Sequence, residues 1–552
     1  MRGRFPASGI ASAQRRRLLQ LALAASVPGT WRAAQAQPPA ARSDPFRLGV
    51  ASGPALDGGV VLWTRIVPDI DAEIAQASGL AVERYIALRS AHEAAARAQA
   101  NGQPRRFEVQ WELAGDEAFR TIVHRGTALA PAELGHSVHV EIAAANLAPG
   151  RWYWYRFMLG DAASPVGRTA TLPAPDAAVA SLRIALASCQ HYEYGHFGAY
   201  ARMRDDDPQA VLFVGDYIYE GGPREKRFRP HPFPSARTLY DYRLRHALYR
   251  RDPALQAMHA FCPWWLTWDD HEVSNDYAGD VGEEPQLDGA ARRRAAYQAY
   301  YEHMPIPAAA LVQRFGEMQL YRRIQLGTLA QVFVLDDRQY RDRQACQPNG
   351  RGGASVVDDD ACPQRRDPAR TLLGAAQMDW LQRGFAASST RWNFIAQQTL
   401  FSPLVRDAPR RRFWTDGWDG YPAERARVLA AIERTRLANP VFAGGDLHAN
   451  WVCDVKRDFD APDSPVIASE FCGTSITSAS SSDARRTAAI VRANSHVRFA
   501  DSDARGYTIF DLAPRALEVR LRAVDDVRKP QPEVSTLARF AVADGRPGAV
   551  RI

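Results

Sequence analysis

The stretch Ala210-Val211-Leu212-Phe213-Val214-Gly215-Asp216-Tyr217-Ile218-Tyr219-Glu220 runs from five apolar residues through a glycine into an acid and a phenol three apart. An unbroken apolar run of this length reads as a strand covered on both faces, the grammar of an α/β sheet rather than of a half-solvated one. The glycine ends the strand and turns the chain. Asp216 and Tyr219 are thereby delivered to the carboxyl end of the strand, where open α/β sheets hold their ligands. Three further runs have the same ending. Leu182–Ala187 leads to Ser188-Cys189, Trp264–Trp268 leads to Asp269-Asp270-His271-Glu272, and Val441–Ala443 leads through Gly444-Gly445 to Asp446-Leu447-His448. A fifth run, Gln331–Leu335, ends in Asp336-Asp337-Arg338, which reads from spacing alone as an acid–arginine pair capping a loop. Tyr507–Leu512 and Ala516–Leu521 form a closing strand pair.

Upstream the pattern changes. Between Phe46 and Pro173, alternating segments such as Gly59–Thr64, Phe107–Trp111, Ser137–Ile142 and Trp152–Phe157 are punctuated by Gly and Pro turns, as in a β-sandwich. The Ala-rich stretch from Ala72 to Gly102 interrupts it as a helical or irregular insertion, and a Pro/Ala-rich segment from Pro173 to Ala180 marks a boundary. The expected organisation is an export segment at 1–36, a β-sandwich domain at 44–175 and a larger α/β domain at 181–535.

The export segment rests on Arg15-Arg16-Arg17 ahead of the apolar run Leu18–Val27 and on Ala34-Gln35-Ala36, a small-x-small cleavage site. The run is too short to span a bilayer. The segment holds six arginines and no acid, so removing it takes the net charge from +7 to +1. A basic-protein argument for nucleic-acid binding therefore fails. Six cysteines in an exported chain permit disulfides; Cys346 with Cys362 is the best candidate pair, and Cys453 with Cys472 is a second, with burial as free thiols the equal alternative for both.

Chemically, a carboxylate at 216 can bridge two cations, a phenolate at 219 is a hard ligand that favours Fe(III), Cys189 offers a thiolate, and Asp446 with His448 offers mixed oxygen and nitrogen ligation. Each is a weak signal alone; their arrival at four strand ends is the stronger one.

The ordered motifs Ser188-Cys189, Gly215–Glu220, Trp268–Glu272, Asp336–Arg341, Gly445–His448 and Glu470–Ser475 resemble those of the PhoD-like alkaline phosphatases, and the preceding sandwich resembles that family's N-terminal domain. The resemblance implies a layered α/β fold of the metallophosphatase type and a variant of the purple acid phosphatase site, in which Fe(III) and Ca(II) share the centre. Carried over by motif, Cys189 and Tyr219 bind iron, Asp216 bridges iron and calcium, and Asp446 and His448 complete the cluster. Asp270 is a second-metal ligand, and Asn275 is a possible further calcium ligand. The implied activity is hydrolysis of phosphomonoesters and phosphodiesters through metal-activated hydroxide, with His271 protonating the leaving group or stabilising charge on it. The implied setting is the periplasm or the exterior, reached by twin-arginine export, for a monomer with a phosphate ester substrate and no transmembrane helix in the mature chain. Phospholipase D-type hydrolysis keeps the chemistry and changes the substrate; the aromatic stretch Arg412–Tyr421 packs as a loop, lines a pocket mouth or touches lipid, loop packing being favoured. A non-catalytic surface module and a serine-nucleophile phosphatase are disfavoured, the latter because no Asp-x-Ser-Ala sequence follows a strand.

Overall fold

Strand Leu182–Ala187 alternates between two buried faces, and this alternation fixes the layers on either side of it. In the computed structural model, which describes residues 44–552 apart from 102–105, 285–288, 349–350 and 462, this strand pairs in parallel with Ala210–Phe213, which pairs in parallel with Trp264–Leu266. The expected export segment at 1–36 lies outside the described residues. On the other side Leu182–Ala187 runs antiparallel to Arg505–Leu512, and the sheet continues through Ala516–Val524 and Val534–Ala543 to Arg546–Arg551. The closing pair expected from the sequence thus exists, and two more strands carry the sheet past residue 535.

A second seven-stranded sheet contains Ala330–Val334, Trp392–Ala396, Pro440–Gly444 and Val466–Cys472 in parallel succession. Ile184, Leu186, Leu212 and Val214 meet Val332, Val334, Phe394 and Ala443 in one buried cluster, so the two sheets face each other. Ala185, Ala187, Val211 and Phe213 turn the opposite way, against Tyr242, Leu255 and Tyr300 of helices Leu239–Arg250, Pro253–Phe261 and Ala290–His303. Phe333 and Ile395 likewise pack on Leu381 and Val428 of helices Gly374–Ala386 and Pro422–Thr435. The order is helices, sheet, sheet, helices, each sheet buried on both faces as the apolar runs require. Helix starts are chemically marked: Thr238 and Asp241 form a reciprocal capping box, and Asp252 accepts from the N–H groups of Ala254 and Leu255.

Upstream, strands Val50–Pro54, Val60–Arg65 and Ser137–Ile142 form one antiparallel sheet, and Ile122–Ala130, Phe107–Ala114 and Trp152–Leu159 form another.

 The second of these sheets, built around strand Trp152–Leu159, shares one core with the first: Val60, Leu62 and Val140 meet Val109, Leu113 and Tyr155. The Ala-rich insertion is helical, over Ile70–Ala77 and Val82–Asn101. Trp63 ties this region to the larger one, its Nε1–H donating to the carbonyl of Glu302 at 3.1 Å.

Cys346 and Cys362 form the expected disulfide. Cys453 and Cys472 do not pair and are buried free thiols. The register explains this: Cys453 lies opposite Glu470 and Cys472 opposite Trp451, a diagonal relation that keeps Cα atoms about 7–8 Å apart, beyond disulfide reach.

Candidate metal centre

The parallel strands end side by side, and the residues that follow them turn sharply. Cys189, Asp216, Asp446 and His448 all adopt left-handed backbone, with φ of 58°, 58°, 65° and 53°. Non-glycine residues rarely do so, at about 1–2 kcal/mol each, and their clustering marks a held site. The holding contacts are visible. The N–H of Cys189 donates to Gly215 O at 3.0 Å, and that of Gln190 to Asp216 O at 3.1 Å. The carboxylate of Glu272 accepts from the backbone N–H groups of Asp216 (3.1 Å), Asp269 (2.7 Å) and Tyr217. Gly215 and Gly445 are required by space: a Cβ on Gly215 would stand 2.3 Å from the Cβ of Asp269, and one on Gly445 would stand 2.4 Å from Ser188 Oγ.

Three overlapping sets of donors converge, each with ligand atoms within 4.8 Å of one another: Cys189, Asp216 and His448; Asp216, Asp270 and His271; Asp269, Asp270 and Asp446. Tyr219 joins the first set, its hydroxyl 2.6 Å from Asp216 Oδ2 and 3.0 Å from His448 Nε2. His448 Nδ1 lies 2.9 Å from the carbonyl of Ala479, which can only accept, so Nδ1 carries the proton and Nε2 presents a lone pair. Asp270 accepts the Asp276 N–H through Oδ2 at 2.6 Å. Asp216 Oδ1 and Asp270 Oδ1 are buried with no hydrogen-bond partner. Asn275 donates from its side chain to Glu283 at 3.2 Å and from its backbone to Glu220 at 2.9 Å.

Such a donor set fits cations. Burial, reinforced by the Asp216 charge, pushes the Cys189 thiol and the Tyr219 phenol well above their ordinary values. Burial also drives Asp446 up to about 8, against the opposing pull of Arg338. Metal ions supply the positive charge that would release these protons. His271 behaves oppositely. Burial disfavours its charged form, but Glu220, with Asp216 and Asp270, outweighs that and raises it well above its ordinary value. Glu220 Oε2 is 2.7 Å from His271 Nδ1, and this pairing overcomes burial to hold the Glu220 carboxyl down at about 2. The imidazole lies against the Tyr219 ring, tilted by 35° with 4.2 Å between centroids.

Two positioning residues escape sequence reasoning, and a third was misread. Ser478 Oγ stands 2.7 Å from the Tyr219 hydroxyl and 2.8 Å from Cys189 O, and Glu272 staples two strand ends together. Arg338, expected to cap a loop, is instead fully buried at the centre: it pairs with Asp269 and Asp416, and its Nη2 lies 3.5 Å from Asp270 Oδ1 and 3.7 Å from Asp446 Oδ1. The loop-capping part of the expectation falls to Asp336, whose carboxylate accepts the N–H groups of Arg338 and Gln339 at 3.0 Å. The signals for Arg338 in the sequence are its place after a strand end and its membership of the motif Asp336–Arg341. In the aromatic stretch, Phe413, Trp418 and Tyr421 are buried as packing residues.

A protein that gathers carboxylates, a phenol, a thiol and an imidazole at the ends of two facing sheets has the build of a metal-assisted hydrolase. The chain belongs to the PhoD-like phosphatase family: the family's model matches residues 184–521, and the model of the PhoD-like phosphatase N-terminal domain matches residues 32–173. It is 41% identical to alkaline phosphatase D of Bacillus subtilis (strain 168) over 521 residues, which is 92% of this chain and 83% of that protein. The solved structure of PhoD superposes with a TM-score of 0.81 at 40% identity, covering 93% of this chain and 92% of that one. The chain is accordingly a phosphoric ester hydrolase. Among the described residues no helix is long and apolar enough to cross a membrane.

Proposed function

We propose that the protein hydrolyses phosphomonoesters and phosphodiesters with a cluster of Fe(III) and Ca(II) held by Cys189, Asp216, Tyr219, Asp270, Asp446 and His448. The observation that carries this reading is the pair of buried oxygens without a hydrogen-bond partner, Asp216 Oδ1 and Asp270 Oδ1, inside overlapping donor sets. Cys189 and Tyr219 would suit iron, and Asp216, Asp270, Asp446 and His448 would supply the further oxygen and nitrogen donors to the cluster. Bound there, the cations would supply Lewis acidity, lowering the pKa of water and neutralising phosphate oxygens.

The protein's own groups do the rest. Ser478 orients the Tyr219 oxygen, and the Ala479 carbonyl fixes the His448 tautomer. Arg338 offsets Asp269 and Asp416, the carboxylates that the cations do not. His271, charged through Glu220, holds a proton for the departing alkoxide; with Nδ1 committed to Glu220, the proton to give is on Nε2.

The same reading extends to organisation. It takes the two upstream sheets as a fibronectin-like β-sandwich at 44–175, the facing sheets as a metallophosphatase-type catalytic domain from 181, and 1–36 as a twin-arginine signal that brings a monomer to the periplasm or exterior. Arg15-Arg16-Arg17 before Leu18–Val27 supports the last point.

The test is hydrolysis of bis(p-nitrophenyl) phosphate and p-nitrophenyl phosphate by wild type and Asp216→Ala, with added calcium and after chelation, alongside metal analysis. Calcium-dependent turnover that drops by a factor of at least about 100 in the variant is expected, the scale of losing a ligand's contribution. Folded, iron-loaded wild type that turns over neither ester would refute the reading.

A further inference from the structure

Beside Asp446 the site opens into a narrow cleft walled by Leu400, Leu404, Arg406, Trp414 and Trp418. Arg406 is its unusual member. No carboxylate lies within ion-pair distance of its guanidinium among the described residues, and its Nε is buried with no hydrogen-bond partner. The two acids that influence it are committed elsewhere. Asp419 accepts from the Leu404 N–H at 3.0 Å and pairs with Arg425 at 2.9 Å, while Asp446 belongs to the candidate metal centre and faces Arg338. An arginine in such surroundings normally finds a carboxylate, because an unpaired, partly desolvated cation is costly.

The position of Arg406 is fixed rather than incidental. Its N–H donates to Arg412 O at 2.8 Å, and Asp407 bridges to Arg412, which begins the strand Arg412–Trp414 paired with Val356–Asp358. The guanidinium lies 5.7 Å from the Trp414 ring centre, so an aromatic wall and a cation stand on the same side of the cleft. The room between these walls is about 30 Å³, roughly two water molecules, and it is half open to solvent. That space suits a carboxylate or the oxygens of a second phosphoryl group and excludes an aromatic ring.

We infer that Arg406 is a specificity-determining residue that binds an anionic group on the ester substituent of the substrate, the part that stays on phosphorus or leaves from it, so that phosphodiesters carrying a second negative charge are the favoured substrate class. The inference deepens the phosphoesterase reading above and rests on it. Arg406 takes no part in bond making or breaking: its N–H groups donate to the substituent's anionic oxygens, and the ring of Trp414 lies against the intervening carbons.

The experiment uses the full chain loaded with iron and calcium and a charge series with one leaving group: methyl, carboxymethyl and choline esters of p-nitrophenyl phosphate. Wild type should show kcat/KM highest for the carboxymethyl ester and lowest for the choline ester. In Arg406→Gln the carboxymethyl-to-methyl ratio should fall by roughly tenfold, the scale of one charged hydrogen-bonded contact, through KM more than kcat. Arg406→Lys should keep part of the preference. Wild-type turnover with no charge preference, or with the choline ester best, overturns the inference without any variant, and so does an Arg406→Gln enzyme whose ratio is unchanged. Absence of turnover on all three esters overturns the phosphoesterase reading itself and the inference with it.

Discussion

Replacing Arg338 by Met isolates the centre's dependence on one cation. Arg338 and Asp269 are each 0% exposed and Asp416 is 1% exposed. The three carboxylates nearest to the arginine are not equally at risk. Asp416 retains Arg341 at 2.9 Å, and Asp270 retains the Asp276 N–H, but among the described residues Asp269 pairs with no other cation and its Oδ2 has no hydrogen-bond partner. The variant therefore leaves one fully buried, uncompensated carboxylate, which costs about 3–5 kcal/mol when a buried pair is broken from one side. Removing the stranded charge as well, in Arg338→Met with Asp269→Asn, should recover most of that loss, because the penalty lies in the orphan and not in the missing contact. The measurement is equilibrium urea unfolding of chelated protein at neutral pH, followed by tryptophan fluorescence. A loss below about 1 kcal/mol in the single variant, or a double variant no more stable than the single one, contradicts this account of the centre.

The remaining expectations concern pH, proton supply and cross-linking. Burial holds Asp446 and, with the Asp216 charge, Glu272 at about 8, and burial holds Asp337 at about 7. All three are higher than in an unfolded chain, so the folded state binds these protons more tightly; their contribution is fully present below about pH 4 and is lost as pH rises towards 8. The melting temperature of chelated protein should fall between pH 5 and 8, and calcium should remove most of that slope; an equal slope with and without calcium would count against the metal cluster. Glu220→Gln withdraws the main charge that raises His271, so the alkaline limb of the pH–rate profile should move to lower pH, whereas an unmoved limb would exclude His271 as proton donor. Replacing Cys346 and Cys362 by Ser opens a loop of 16-residue separation and should cost about 3 kcal/mol, read as a lower melting temperature that reducing agent reproduces in wild type but not in the variant.

The legible part of the site is the part that sits next to its own strand. Cys189, Asp216, Asp270 and Asp446 each follow an apolar run within a few residues, so a one-dimensional pattern carries them to one end of the sheets. The helical insertion and the Cys346–Cys362 bridge are local in the same sense. What stayed hidden is what reaches across the chain. Ser478 meets Tyr219 over 259 positions, Arg338 meets Asp416 over 78, and the diagonal offset of Cys453 and Cys472 depends on a strand register that composition does not encode. Arg338 also shows why an Asp-Arg pair misleads: a sequence neighbour suggests a local cap, whereas the guanidinium bonds acids from two other segments.

That division has a physical cause. A ligand needs only to be delivered, and a strand end delivers it; a ligand held in left-handed backbone also needs opposing contacts, or the turn relaxes. Cys189, Asp216, Asp446 and His448 all carry that strain. Glu272 restrains the 216 turn through backbone N–H groups, Ser478 restrains the 189 turn through its carbonyl, and Cys472 Sγ meets the Gly445 carbonyl at 3.0 Å next to Asp446. Each restraint comes from a strand or loop that packs late in the chain order onto an earlier turn. The site is therefore preorganised by tertiary structure, which is how mutually repelling carboxylates can be kept within one small volume.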